Sequence, residues 1–143
     1  MFLLGLLCFA SIIATIYIVK TSDSSRPAEQ EPTRPGPAKV MRLSMTDALE
    51  RLRNGEKAIL LDVRTPEEHA AFALSGSLLV PVAEPARFIP AVESVIQDKN
   101  APVFVYCRSG RRSQNAAEMM VDAGYTRVYN IGGVIDLPDD FKK

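Results

Sequence analysis

Met45, Ala48, Leu49 and Leu52 recur at intervals of three and four, the period of a helix with one buried stripe. The pattern predicts a helix over Ser44–Asn54, with Ser44 as N-cap, Asp47 in the first turn and Gly55 as the stop. Ala58–Val63 is an unbroken apolar run apart from Asp62, the signature of a strand buried on both faces. Thr65 and Pro66 then open a short helix, as cap and first helical residue. Leu78–Val80 reads as a short strand, and a helix is expected from about Pro85 to Gln97, packing Phe88, Ile89, Val92, Val95 and Ile96. Asp98–Pro102 is a turn, and Val103–Tyr106 a second buried strand that runs directly into Cys107. A helix over about Arg112–Ala123 ends at Gly124, and Arg127–Tyr129 forms a last strand before Gly132 and Gly133. Strands alternating with helices define an α/β domain with a mainly parallel sheet.

Upstream the pattern changes twice. Residues 1–19 carry no charged side chain, and as a helix they would reach about 28 Å, close to the hydrocarbon thickness of a bilayer. No Lys or Arg precedes the run and no persuasive cleavage site follows it, which favours a transmembrane helix or uncleaved signal anchor over a cleaved signal peptide. Leu7 before Cys8 also argues against a lipoprotein site. Residues 20–39 are rich in Pro, Ser and charge and are expected to form an extended, poorly ordered tether. The folded domain is expected over 40–143. Lys20, Arg26, Arg34 and Lys39 all follow the apolar run, so the positive-inside bias favours a cytoplasmic domain, with an exported one as the alternative.

Composition narrows the class. With 47% hydrophobic and 24% charged residues the chain has the balance of a folded domain. Seventeen basic and seventeen acidic residues cancel, which removes the electrostatic footprint of a nucleic-acid binder. Cys8 and Cys107 are the two cysteines, and Cys8 lies in the apolar run, so no disulfide forms within the domain. One histidine and two distant cysteines lack metal-ligand spacing, and no metal site is expected. Met119 and Met120 read as helix packing.

Cys107 is thus either a core thiol or a chemical tool. It sits at the carboxyl end of a buried strand, where open α/β sheets bind their ligands. Arg108, Ser109, Gly110, Arg111 and Arg112 then form a tight loop opening a helix, a geometry that turns backbone N–H groups inward as an anion cradle. Such a cradle, with arginines nearby, stabilises a thiolate. The alternative is a strand-end core thiol followed by a solvated helix start.

Three blocks, LDVRTPEEHAAF (61–72), VYCRSGRRS (105–113) and GYTRVYNIGG (124–133), resemble the rhodanese domain in its order and spacing, over roughly Leu43–Leu137. The resemblance implies a rhodanese-like α/β fold, a five-stranded mainly parallel sheet flanked by helices. It implies sulfur transfer in two steps: Cys107 takes the sulfane sulfur of thiosulfate or a polysulfide as a persulfide, then yields it to a thiol or cyanide acceptor. The amides of residues 108–112 would cradle the sulfur, the arginines would attract an anionic donor, and neither metal nor organic cofactor would be needed. Asp62 and Arg64 match an Asp-Val-Arg element that would brace the loop through polar contacts. Phe72–Ser77 keeps only Gly76 of the family's usual Gly-His-Ile-Pro-Gly-Ala, and Leu137 replaces an aromatic after Gly132–Gly133, changes that touch the pocket rim. His69 falls in a helix that the family uses structurally. Two other functions compete. A Cys-dependent phosphatase or arsenate reductase would place five residues between Cys and Arg, whereas four separate Cys107 from Arg112. A rhodanese module without turnover would act as a membrane-tethered sulfide or persulfide sensor, or as a docking domain. Apart from the bilayer, small sulfur donors and acceptors are the expected partners.

Overall fold

The computed structural model describes residues 38–137. The expected anchor over 1–19 and nearly all of the expected 20–39 tether lie outside the described residues, as do residues 138–143 of the expected domain. Among the described residues no helix is long and apolar enough to cross a membrane.

Five strands and four helices follow in the order β1 (Met41–Arg42), α1 (Met45–Arg53), β2 (Ile59–Asp62), α2 (Pro66–Ala71), β3 (Leu78–Leu79), α3 (Pro85–Val95), β4 (Val103–Cys107), α4 (Arg111–Asp122) and β5 (Val128–Gly133), and a 3-10 turn at Val134–Asp136 closes the described chain. The strands form one sheet in the order β1-β5-β4-β2-β3, and every pairing is parallel. β4 is therefore the middle strand, and all five of its residues are buried.

Alternate side chains of the inner strands serve two cores. Leu61, Val103, Val105 and Cys107 face α3 and α4, packing with Phe88, Val92, Ala116, Ala117 and Met120. Leu60, Phe104 and Tyr106 face the other way, against Met45 and Ala48 of α1, with Leu74 and Leu137. Fully burying side chains of this size contributes roughly 1.5–3 kcal/mol each, and Phe104 adds an edge-on contact with Tyr129 at 5.3 Å.

The helix boundaries follow their caps. The Ser44 side chain accepts the Asp47 N–H, and Gly55 adopts φ +91 just after α1. At α2 the Thr65 hydroxyl accepts the Glu68 N–H while the Glu68 carboxylate accepts the Thr65 N–H, a reciprocal capping box with Pro66 at the first position. The structure departs from the sequence pattern in several places, and α3 ends at Val95 rather than Gln97. Val95 is 48% exposed rather than packed, because α3 turns it away from the sheet while Phe88, Val92 and Ile96 point inward. The two-residue β1 and the 3-10 turn carry no periodic signal of their own; β1 exists by pairing Met41 and Arg42 with Tyr129 and Asn130. α4 begins one residue early, at Arg111. β5 runs on through Gly132 and Gly133, because a register shift in β4 lets Cys107 pair with Gly133.

Candidate active site

Three elements converge on Cys107: the end of β4 that carries it, the turn into α4, and the end of β5 alongside. Gly110 is the N-cap of α4 and adopts φ +87, a left-handed conformation that lets residues 108–110 fold back over the strand end. The Gly110 N–H consequently donates to Cys107 Sγ at 3.1 Å. The thiol has no solvent-exposed surface. Burial pushes its pKa up, but the Ser113 hydroxyl and the amides of Ser113, Ser109 and Gly110 outweigh that effect, and the net shift is downward. The Gly110 N–H thus points at the sulfur, and the Ser109 and Ser113 amides also favour its thiolate form.

Ser113, fully buried on the first turn of α4, anchors the loop from beneath. Its hydroxyl lies 2.8 Å from Asn130 Oδ1 and 3.0 Å from the Gly110 carbonyl. With one proton it serves one acceptor at a time, so ionisation of Cys107 gives it a charged alternative. Asn130 on β5 completes the support: its amide donates to Gln114 Oε1 at 2.9 Å and to the Gly110 carbonyl at 3.3 Å, and its oxygen accepts the Gly132 N–H at 3.0 Å. Gly133 is where β5 meets the loop, and a Cβ built there would stand 2.2 Å from Arg108 O.

The arginines divide. Arg112 is gripped by Glu68 of α2 through two parallel bonds of 2.7 Å. This pairing, followed by the charge of Cys107, raises the Arg112 pKa. In return Arg112 holds the Glu68 carboxyl down to about 2. Arg108 is exposed and its backbone carbonyl accepts the Ile135 N–H at 3.1 Å. Arg111 is also exposed and lines a separate cleft of about 740 Å3 with Arg42, Ser109, Gln114 and Asn130.

Asp62 and Arg64 form a buried ion pair at 2.7 Å. Asp62 also meets His69 Nδ1 at 2.9 Å, and Arg64 donates to the Phe72 carbonyl. Burial alone would push the Asp62 carboxyl up, and the bonds from Arg64 and His69 more than offset it. The hydrogen bonds of Asp62 and Arg64 tie β2 to α2 and the segment after it, and the Arg64 guanidinium lies 5.5 Å from the ring centroid of Tyr106, the residue before Cys107. The brace to the loop is Glu68, because it lies on the face of α2 turned toward Arg112. His69 lies on α2 and reaches back to β2 through its contact with Asp62. Glu68, Ser113, Asn130 and Gly133 were not singled out from sequence as site residues, although all four lie in the three blocks that carry the family resemblance.

A cavity of about 260 Å3 opens between α2 and the loop, lined by Arg64, Glu68, Ala71, Phe72, Arg108 and Val134. Its wall contains the carboxylate that grips Arg112 and the residue that follows the thiol. Among the described residues no group of three or more His, Cys, Asp and Glu side chains could hold a metal ion.

The described residues thus form a parallel α/β domain with a buried thiol, contacted by the Gly110 amide, at the end of its middle strand. Residues 45–136 match the Rhodanese-like domain, and the chain belongs to that family. It is similar to the thiosulfate sulfurtransferase PspE of Escherichia coli, 36% identical over 77 residues, 54% of this chain and 71% of the relative. It is similar also to the thiosulfate sulfurtransferase GlpE of Pseudomonas putida, 34% identical over 96 residues, 67% of this chain and 82% of the relative. Among solved structures, a rhodanese with anions from E. coli superposes with a TM-score of 0.50 at 36% identity, covering 56% of this chain and 91% of that one. The protein is a rhodanese-type sulfurtransferase.

Proposed function

We propose that the protein carries sulfane sulfur on Cys107, from a donor of the thiosulfate or polysulfide kind to a thiol, or to cyanide in the assay. The observation that carries this reading is the Gly110 N–H pointing at Cys107 Sγ at 3.1 Å, with the Ser109 and Ser113 amides and the Ser113 hydroxyl also favouring the thiolate. The thiolate attacks the outer sulfur of the donor and the donor's S–S bond breaks; the leaving group takes the electron pair, sulfite from thiosulfate or the polysulfide shortened by one sulfur. The resulting Cys107 persulfide anion keeps its charge among the same amides. An acceptor nucleophile then takes the terminal sulfur and returns the thiolate. Splitting the transfer in two gives each step a simple displacement, and amides fixed before the reaction supply the electrostatic stabilisation.

Intact-mass measurement after treatment with thiosulfate tests the first half. A gain of one sulfur is expected, removed by cyanide as thiocyanate and absent in Cys107→Ser. A protein that gains no sulfur from thiosulfate or polysulfide contradicts the reading. A persulfide that forms but survives excess cyanide and thiol points instead to a sensor without turnover.

A further inference from the structure

The apolar stripe of α1 is only half covered. Met45 and Ala48 are buried, whereas Leu49 and Leu52 are half-buried. These two leucines wall a groove of about 490 Å3 between α1 and the segment after α2, together with Leu60, Phe72 and Leu74 and with Arg53 exposed at its edge. Leu137, the last described residue, is buried in the same apolar cluster as these side chains. Its backbone is extended, with φ −67 and ψ 135, the conformation that a following proline imposes. The chain thus leaves from within the cluster and continues Pro-Asp-Asp-Phe-Lys-Lys over residues 138–143. Phe141 stands four residues beyond Leu137, a span of at most about 14 Å when extended. Asp139 and Asp140 precede it, opposite in charge to the arginine at the groove edge.

We propose that residues 138–143 dock across this groove as an intramolecular strap, with the Phe141 ring seated against Leu49, Leu52 and Phe72 and the two aspartates on the Arg53 side. The tether decides the occupant. A segment anchored at one end by Leu137 faces the groove at an effective concentration in the millimolar range, which an untethered apolar partner does not match. A Phe ring also supplies the large apolar area that a groove of half-buried Leu and Phe side chains leaves open. The strap bears on the segment after α2, where the Leu74 N–H donates to the Tyr106 hydroxyl at 3.2 Å. Phe72 lines both this groove and the small cavity beside the Cys107 loop. Docking therefore fixes one wall of that cavity from behind. The inference is independent of the sulfur route through Cys107.

The test is a double-mutant cycle on the full chain, read by thermal unfolding. Phe141→Ala should lower Tm by roughly 5–10 °C, the effect of exposing a partly covered ring in a domain of this size. Phe141→Leu, which keeps an apolar side chain, should recover most of that loss. Leu52→Ala and Phe141→Ala together should lower Tm by clearly less than the sum of the two, because each removes the other's contact. Val95→Ala, an exposed apolar truncation on α3, should simply add to Phe141→Ala. Hydrogen exchange supplies the location: in Phe141→Ala the amides of residues 72–75 should exchange faster, while those of β4 keep the parent rate. An unchanged Tm in Phe141→Ala, or additivity with Leu52→Ala, overturns the proposal. A parent chain that sediments as a dimer, and that Leu52→Asp converts to monomer while Phe141→Ala does not, assigns the groove to a second copy and overturns it equally.

Discussion

Substituting Gly133 by alanine isolates the contact that sets the height of the loop over the strand end. The added Cβ would stand 2.2 Å from Arg108 O and 2.5 Å from both Arg108 C and Ser109 Cα. All three are backbone atoms, so no side-chain rotation relieves the overlap, and ordinary contact begins only at 3.4 Å. The loop must retreat by about 1 Å, and overpacking of this kind costs about 1–3 kcal/mol. For a domain of this size each kcal/mol lowers Tm by roughly 4–8 °C. The same retreat pulls the Ser109 and Gly110 amides from the thiol, and a misplacement of about 1 Å at a reacting centre can cost ~100-fold in rate. Thermal unfolding and thiosulfate:cyanide kinetics on Gly133→Ala check both figures. Gly132→Ala is the control: its φ of +89 makes alanine strained, but the added Cβ meets nothing closer than Asp136 Oδ2 at 3.7 Å. Stability should drop by ~1–3 kcal/mol there, with transfer activity within a few-fold of the parent. A Gly133→Ala protein with unchanged Tm and kcat/KM would refute the idea that this approach positions the cradle.

Three further outcomes follow from the same contacts. Ser113→Ala removes a hydroxyl that favours the thiolate, so the Cys107 pKa rises and the pH–rate midpoint for iodoacetamide alkylation moves to higher pH; an unmoved midpoint would exclude the hydroxyl from the cradle. Tyr106→Phe strips the Leu74 N–H of its acceptor and should cost about 1–3 kcal/mol in urea unfolding, while leaving the alkylation profile where it was. Glu68 titrates at about 2 in the fold against an ordinary 4.5, so its stabilisation is complete above pH 4.5 and is lost as pH falls toward 2; Glu68→Gln should flatten that part of the stability curve, and an identical acid limb would show that the pair contributes nothing.

The parts of the fold readable from sequence were those with a local cause. α1 announces itself through its cap and helical spacing, α2 through Thr65 and Pro66 and α4 through its stop at Gly124, while β2 and β4 do so as continuous apolar runs. The Cys107 loop was legible because strand, cysteine, glycine and helix are contiguous. β1 was not, since two residues of strand are defined by their partners on β5. The Glu68–Arg112 pair spans 44 positions in the chain, and a helix-capping glutamate gives no local hint of its second bond. Asn130 and Gly133 were hidden for the same reason: each matters only through what the sheet brings beside it. Asp62 and Arg64 show the converse. Their spacing proclaims a pair, but the direction in which that pair is spent depends on where α2 docks.

The buried thiol and the small cavity beside its loop come from different parts of the molecule. Cys107 ends the strand with neighbours on both sides, whereas Glu68, Ala71, Phe72 and Val134 belong to a six-residue helix, its exit and a single turn. Substitutions at these peripheral positions can therefore reshape the cavity wall without touching the middle strand, where the thiol is moored with its surroundings fully packed.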